Sequence, residues 1–124
     1  MPKILEVRLP EASVADTALL FTAFADPARL RILNLIGHAG ELCNCHIETI
    51  TGYLPSKISR HLAILRQAGF VRERRAGTFV HYSLAPRDDR IGAALLKLID
   101  ELPRAEELLQ SDLDDLRVHL AKRC

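Results

Sequence analysis

The sequence predicts a mostly α-helical protein with one β-hairpin, and local patterns support each part. Ile58, Leu62 and Leu65 fall at i, i+4 and i+7, which places one apolar stripe along a helix. Two β-rich runs follow this helix and flank Ala76-Gly77, a two-residue turn signal typical of a hairpin. A helix followed by a basic hairpin is the winged-helix arrangement, so we predict a winged helix-turn-helix fold.

The length and composition indicate one globular domain. The chain of 124 residues suffices for a single domain with a modest core, and we assign residues 1–124 to it. Hydrophobic residues make up 48% of the chain and charged residues 27%. The sequence shows no signal peptide and no apolar run near the length of a membrane span, which predicts a cytoplasmic protein with no membrane partner.

The net charge of +1 conceals a segregation of charge along the chain. Between residues 54 and 87, Glu73 is the only acidic residue, whereas the C-terminal third is acidic. The basic residues of this segment are one lysine and six arginines, namely Lys57, Arg60, Arg66, Arg72, Arg74, Arg75 and Arg87. A local basic face on a near-neutral protein favours a specific nucleic-acid-binding protein over a general DNA coat.

Two helix start signals organise the N-terminal half. Ser13, followed three residues later by Asp16, forms a weak capping signal and predicts a helix over about residues 14–24. Asp26-Pro27 combines an N-cap residue with a proline at the first helical position, and it opens a second helix that ends near residue 36. Apolar residues wrap most of this second helix, so we expect it to lie in the centre of the core.

The helix over about residues 54–69 presents hydrogen-bond donors away from its apolar stripe. A short helix with an apolar back and a donor-rich front fits the major groove of B-DNA, which is wide enough for one helix. An ordinary solvated amphipathic helix shows the same pattern, but the basic hairpin that follows favours DNA binding. The side chains that we expect to contact DNA from this helix are Ser56, Lys57, Ser59, Arg60 and His61.

The hairpin adds positive charge on one strand and at its tip. Arg72, Arg74 and Arg75 precede the turn at Gly77. Phosphate groups attract such guanidinium groups wherever a hairpin lies along a duplex. We therefore predict DNA contacts from Arg74, Arg75 and Thr78.

Four motifs, taken together and in this order, resemble the ArsR/SmtB family of metal-responsive repressors. The motifs are Asp26–Leu33, Glu41–Cys45, Lys57–Leu62, and Gly77 with Val80-His81-Tyr82. The resemblance implies a homodimeric winged helix-turn-helix repressor that binds double-stranded operator DNA. An enzyme is the least favoured class, because the sequence shows no cluster that would supply an ordered catalytic base.

Cys43 and Cys45 place two thiols close together at the predicted start of a helix, where the helix dipole favours the thiolate. Three cysteines, two of them one residue apart, make a poor disulfide framework, so we interpret Cys43 and Cys45 as reduced thiols. Thiolates are soft ligands that select thiophilic ions. In arsenic- and cadmium/lead-responsive members of the family that the chain resembles, a Cys-x-Cys at this position ligates the inducer. The resemblance therefore implies As(III) as the inducer, with another thiophilic ion such as Cd(II) or Pb(II) as the alternative.

The third ligand of the inducer stays open at this level. As(III) usually takes three thiolates in such sites, but Glu48 stands where the family has its third cysteine. Cys124, from the same subunit or its partner, is the expected third thiolate, and His46 is a nitrogen alternative. The zinc site on the last helix of some family members is predicted to be absent, because the matching region has no histidine.

The C-terminal part, about residues 91–121, repeats apolar residues at three- and four-residue spacing and is interrupted at Pro103. The family that the chain resembles dimerises through its first and last helices, so we assign this part to a homodimer interface. Packing against the rest of the same subunit is the alternative.

Two other functions fit the same residues. The cysteines could respond to oxidants, although a disulfide within Cys-x-Cys is strained and this thiol redox function ranks second. A winged-helix regulator without any ligand is the other, in which Cys43 and Cys45 would be an idle pair.

Overall fold

The computed structural model describes residues 12–120, and these form seven helices, a short 3-10 turn and three strands. The N-terminal half contains α1 (Ala12–Phe24), α2 (Pro27–Ala39), β1 (Glu41–Cys43), α3 (Asn44–Thr51) and α4 (Pro55–Gln67). The hairpin follows as β2 (Val71–Ala76) and β3 (Phe79–Leu84). The last part contains α5 (Arg90–Leu98), the 3-10 turn Ile99–Glu101, α6 (Leu102–Ala105) and α7 (Glu107–His119). This order of elements confirms the predicted winged helix-turn-helix fold.

The helix starts follow from local capping. The Asp26 side chain accepts hydrogen bonds from the backbone amides of Ala28 at 2.8 Å and Arg29 at 3.1 Å, and Pro27 occupies the first helical position. The predicted start of α2 is therefore confirmed. Beyond the C-terminal end of α4, Gly69 has a φ of 80°. This left-handed conformation favours glycine and lets the chain turn into β2.

The antiparallel sheet has the strand order β1-β3-β2. The predicted hairpin runs from the Val71–Leu84 pair to the Ala76–Phe79 pair. Strand β1 was not predicted; it pairs Glu41 with Ser83 and Cys43 with His81. The hairpin is thus joined through its inner strand β3 to the segment that carries the cysteines.

The core surrounds α2, as predicted. The side chains of Ile32, Leu33, Leu35 and Ile36 are fully buried, and the apolar stripe of α4 packs into the same cluster. Burial of such side chains from water contributes about 1.5–3 kcal/mol each and fixes the position of α4 on the domain.

The C-terminal helices divide their apolar residues between the core and the surface. Leu109, Leu113 and Leu116 of α7 are buried, and α7 packs against α2 and α3. The predicted stripe therefore serves packing within the subunit at these positions, which was the alternative stated for it. Other large apolar side chains stay exposed on α5 and at both ends of the α7 segment, namely Ile91, Leu98, Leu108, Val118 and Leu120. None of the helices between residues 12 and 120 combines the length and the apolar composition that a membrane span requires.

Candidate nucleic-acid interface and cysteine cluster

Helix α4 separates an anchoring face from an exposed polar face. Ile58 and Leu62 are each 2% exposed and Leu65 is completely buried, so this stripe holds the helix against the core. Ser56, Ser59 and Arg60 are exposed on the opposite side. The N-cap residue Leu54 makes no side-chain hydrogen bond to the helix, and Pro55 sets the first turn. The exposed serines and arginine provide donors that suit phosphate oxygens and base edges.

His61 differs from the other predicted DNA contacts on α4, because its ring faces the interior. The residue is only 6% exposed, and the Arg29 guanidinium lies 3.1 Å from its Nδ1 atom. Arginine can only donate, so Nδ1 accepts the hydrogen bond and the imidazole is neutral. Arg29 also donates to the carbonyl oxygens of Ala23 at 2.9 Å and Thr22 at 3.0 Å, which ties α4 to the end of α1. The structure thus gives His61 an internal contact in place of the expected exposure to DNA.

The buried imidazole makes stability depend on pH. Burial lowers the pKa of His61 below its usual 6.5, Asp26 opposes this shift, and the charges of Arg29, Arg60 and Lys57 add to it. Because the unfolded chain takes up this proton more readily, the free energy of unfolding should fall as pH drops below about 6.5. The contribution of His61 is fully present above that pH.

Urea unfolding at pH values from about 7.5 down to 5.5 would measure this effect. His61→Gln keeps a polar side chain that cannot take up a proton, so its stability should change less over the same range. The pKa of Asp26 lies below 3.8, so this carboxylate stays charged throughout. An equally steep loss of stability in His61→Gln would assign the pH dependence to another group.

Both predicted DNA-contacting arginines of the hairpin, Arg74 and Arg75, are exposed, and Arg74 also has a carboxylate partner. Arg74 donates to both carboxylate oxygens of Glu41, at 3.1 and 2.7 Å, and this hydrogen bonding lowers the pKa of the Glu41 carboxyl. Arg75 and Thr78 are exposed near the tip. Because Arg74 is bound to Glu41 on a solvent-exposed surface, a phosphate would have to replace that carboxylate.

Two further basic residues of the 54–87 segment have partners within the protein. Arg66 binds Glu73 at 2.9 Å. Arg87 lies over the Phe70 ring, with its Cζ atom 4.8 Å from the ring centroid, and also binds Asp89 at 2.7 Å. Arg72 is exposed on β2 and donates to the Ser83 hydroxyl at 3.3 Å. The positive surface that has no carboxylate partner is therefore smaller than the sequence suggested, and it lies on α4 and β2.

The cysteine cluster lies where β1 passes into α3. The potential ligand atoms of Cys43, Cys45 and His46 all lie within 4.8 Å of one another. Cys43 is buried and carries a free thiol, whereas Cys45 and His46 are half-buried. Cys45 is disulfide-bonded, so it differs from the predicted reduced thiol and requires reduction before it can ligate an ion. Cys124 lies outside the described residues.

Asn44 connects the cysteine cluster to the hairpin, a role that no pattern in the sequence indicated. Its Oδ1 atom accepts hydrogen bonds from the Cys43 thiol and from the Val80 backbone amide, both at 3.4 Å. Its amide nitrogen lies 3.4 Å from a carboxylate oxygen of Glu48. A change in ligation at the cysteines would therefore act on a residue that bonds to β3.

The fold, the exposed polar face of α4 and the basic hairpin define a winged helix-turn-helix DNA-binding regulator. The sequence pattern described as "Bacterial regulatory protein, arsR family" matches residues 26–73. The chain is 44% identical over 88 residues to the arsenical resistance operon repressor of Escherichia coli K12, covering 71% of this chain and 73% of that protein. The chain therefore belongs to the ArsR family and is a transcriptional repressor, not an enzyme.

Two further similarities agree with this assignment. The chain is 33% identical over 76 residues to the CadC homolog, a cadmium resistance transcriptional regulatory protein of Staphylococcus aureus, covering 61% of this chain and 63% of that protein. It is also similar to the solution structure of the homodimeric winged helix-turn-helix domain of Mb0332 from Mycobacterium bovis. That similarity has a TM-score of 0.63 at 30% identity and covers 80% of this chain and 94% of that one. The predicted family and fold are thus confirmed.

Proposed function

We propose that this repressor binds a roughly palindromic operator as a homodimer and releases it when a thiophilic metalloid or metal ion binds Cys43 and Cys45. As(III) is the inducer that we favour. The observation that carries this proposal is the cluster of Cys43, Cys45 and His46, whose ligand atoms lie within 4.8 Å of one another beside the DNA-reading elements. The names of the arsenical and cadmium resistance regulators among its relatives support an inducer of this class.

The proposed DNA contacts come from α4 and the hairpin. Ser56, Ser59 and Arg60 are exposed on α4, and Lys57 is half-buried beside them. The hairpin residues that we assign to the interface are Arg74, Arg75 and Thr78. His61 is not included, because its ring is buried against Arg29. In a dimer, two copies of α4 would enter successive major grooves about 34 Å apart.

The proposed homodimer uses apolar surfaces that one subunit leaves exposed. Val14, Leu19 and Phe21 on α1 are between 52% and 66% exposed, and Ile91 and Leu98 lie exposed on α5. Helices α1 and α5 contact each other. Clusters of large apolar side chains of this kind mark interaction surfaces on soluble proteins. Such a dimer would act in the cytoplasm, where its operator DNA lies.

The cysteines would be coupled to DNA by two routes, one through the hairpin and one through α4. Cys43 ends β1 and is paired with His81 of β3, and Asn44 bonds to the backbone of Val80. Helix α3 packs against α4. Ligation that moves the β1–α3 junction would therefore shift both the hairpin and the reading helix. A coupling free energy of only about 1–3 kcal/mol changes operator affinity about 5- to 150-fold.

The coordination number depends on a third ligand. His46 supplies a nitrogen within the described cluster, whereas Cys124 would supply a third sulfur. A site with three sulfurs suits As(III), and a site with two sulfurs and one nitrogen suits ions such as Zn(II) and Cd(II) as well. The ligand set would therefore decide which ion acts as the inducer.

A thiol redox response is the second candidate function. The observation that favours it is that Cys45 is disulfide-bonded while Cys43 carries a free thiol. In this alternative, oxidation of thiols would release the operator without any metal ion.

The experiment that separates these functions is a titration of the reduced protein with As(III), Cd(II) and Zn(II), followed by thiolate–metal absorbance. In parallel, fluorescence anisotropy would follow a labelled duplex that the reduced protein selects from a random-sequence pool. Stoichiometric absorbance changes together with DNA release by As(III) support the proposal. Release only by a thiol oxidant would establish the redox function, and release by neither treatment would indicate a regulator without a ligand.

A further inference from the structure

Four side chains form a continuous series from the C-terminal helix α7 to the reading helix α4. The series begins at Asp112 on α7, which is only 2% exposed. The Arg31 Nε atom donates to Asp112 Oδ2 at 2.8 Å, and its Nη2 atom donates to Oδ1 at 2.9 Å. This two-point contact fixes the plane of the guanidinium group as well as its position.

Tyr53 continues the series in the turn between α3 and α4. The Arg31 Cζ atom lies 5.1 Å from the centroid of the Tyr53 ring, and the Lys57 Nζ atom lies 3.9 Å from it. An aromatic ring attracts a cation placed over its face. The Tyr53 ring therefore holds the ammonium group of Lys57 at the start of α4. The other cation beside this ring is the Arg31 guanidinium group, which Asp112 of α7 fixes in place.

The partly buried ion pair of Arg31 and Asp112 does more than hold α7 in place. Leu109, Leu113 and Leu116 already bury the apolar side of α7, and the Asn34 side-chain amide donates to the Leu109 carbonyl oxygen at 2.9 Å. A buried ion pair is often no more stabilising than apolar residues of the same size, because both charges lose their hydration. What the pair adds at this position is a guanidinium group fixed against the Tyr53 ring.

The contact with Tyr53 leaves Lys57 able to bind DNA. An ammonium group has three donors, and a contact with a ring face leaves donors free for a phosphate oxygen. A lysine side chain that is already held in place also loses less rotational freedom when it binds.

We propose that Asp112, Arg31 and Tyr53 are positioning residues that hold the Lys57 ammonium group ready for a DNA phosphate. Operator affinity then depends on whether α7 is docked on α2. This inference rests on the proposed role of α4 in DNA binding. It assigns to α7 a part in binding the operator in addition to its packing in the core.

The test compares Tyr53→Leu with Tyr53→Phe, each with and without Lys57→Ala, in the reduced full-length protein. Binding is measured by fluorescence anisotropy on the selected duplex over a series of KCl concentrations. Tyr53→Leu should weaken binding about 3- to 10-fold, since it removes the ring face that holds the cation. It should also reduce the salt dependence, as expected when a phosphate contact is lost. Tyr53→Phe keeps the ring over which Lys57 lies and removes only the hydroxyl group that interacts with Arg31, so it should weaken binding less than Tyr53→Leu does.

The decisive measurement is the double variant. In the Lys57→Ala background, Tyr53→Leu should cause no further loss, because the group that it positions is gone. A merely structural role for Tyr53 would weaken binding equally in both backgrounds, and this additive result would overturn the proposal. Unchanged or tighter binding by Tyr53→Leu would also overturn it.

The α7 end of the series is tested by replacing Arg31 and Asp112 together with Met and Leu, which removes both charges but keeps the contact apolar. This pair should reproduce the loss seen in Tyr53→Leu and should have no effect in Lys57→Ala. Thermal unfolding shows whether this double variant folds, and if it does not, the Tyr53 comparison decides.

If Lys57→Ala and Arg60→Ala both bind normally, the proposed reading face is wrong. If Lys57→Ala weakens binding but the other variants do not, only the positioning role is wrong.

Discussion

Replacing Cys43 or Cys45 with serine is expected to abolish inducer-driven release while DNA binding survives. The hydroxyl group is close in size to the thiol but supplies no thiolate ligand. Asn44 Oδ1, which lies 3.4 Å from the Cys43 sulfur, can accept a hydrogen bond from the new hydroxyl, so the buried position keeps a polar partner. The As(III) concentration for half-release should rise more than about 100-fold, since loss of residues around metal ligands already costs about 10- to 100-fold.

The measurement is anisotropy of the selected duplex against As(III) concentration in the presence of a phosphine reductant. His46→Gln and Cys124→Ser serve as matched variants for the third ligand. Weaker As(III) binding in Cys124→Ser alone would indicate three sulfurs, whereas an effect of His46→Gln alone would indicate two sulfurs and one nitrogen. If Cys43→Ser and Cys45→Ser both still release DNA at wild-type As(III) concentrations, the metalloid-sensing proposal is wrong.

Arg60→Ala is expected to weaken operator binding by about 1–3 kcal/mol, or about 5- to 150-fold, if its guanidinium contacts a guanine edge. Arg60 is exposed on α4 and faces away from the buried stripe, so the fold should be unaffected. The loss should be largest on the selected duplex and small on an unrelated duplex.

Arg75→Ala is the control for this prediction, because Arg75 is exposed near the hairpin tip and is expected to touch only phosphates. Its loss should weaken both duplexes alike and reduce the salt dependence by about one unit per contact. An Arg60→Ala protein that binds the selected duplex as tightly as the wild type would show that this face of α4 does not read the sequence.

The agreement between sequence and structure is closest where a few neighbouring residues decide the outcome. Asp26-Pro27 opens α2 because the carboxylate bonds to amides two and three residues away. Gly69 and Gly77 have positive φ values where the sequence placed a helix end and a hairpin turn. The motif at Lys57–Leu62, together with the three other motifs that carry the family resemblance, also led to the correct family.

The disagreements arise where the partner is distant in the sequence. Strand β1 has only three residues, too few for a periodic signal, and it forms because β3 offers hydrogen bonds to it. The helical periodicity of the apolar residues placed His61 on a polar face of α4, but the Arg29 guanidinium holds its ring inside. Arg87 was counted in the basic face of residues 54–87, but its guanidinium group lies over the Phe70 ring.

The sequence by itself determined the helices α1 to α4, the hairpin, the family and the pair of cysteines, because capping, periodicity and turn formation act over a few residues. It predicted the break of the C-terminal helix at Pro103, whereas the chain breaks at Ile99–Glu101 and at Glu106. The tertiary structure alone decided which charged side chains remain exposed and which side chains connect α7 to α4. Arg31 and Asp112 are 81 positions apart, and Glu41 and Arg74 are 33 apart. Such pairs form only after the core has brought their elements together, since hydrogen bonds and ion pairs act over a few ångströms of space regardless of separation along the chain.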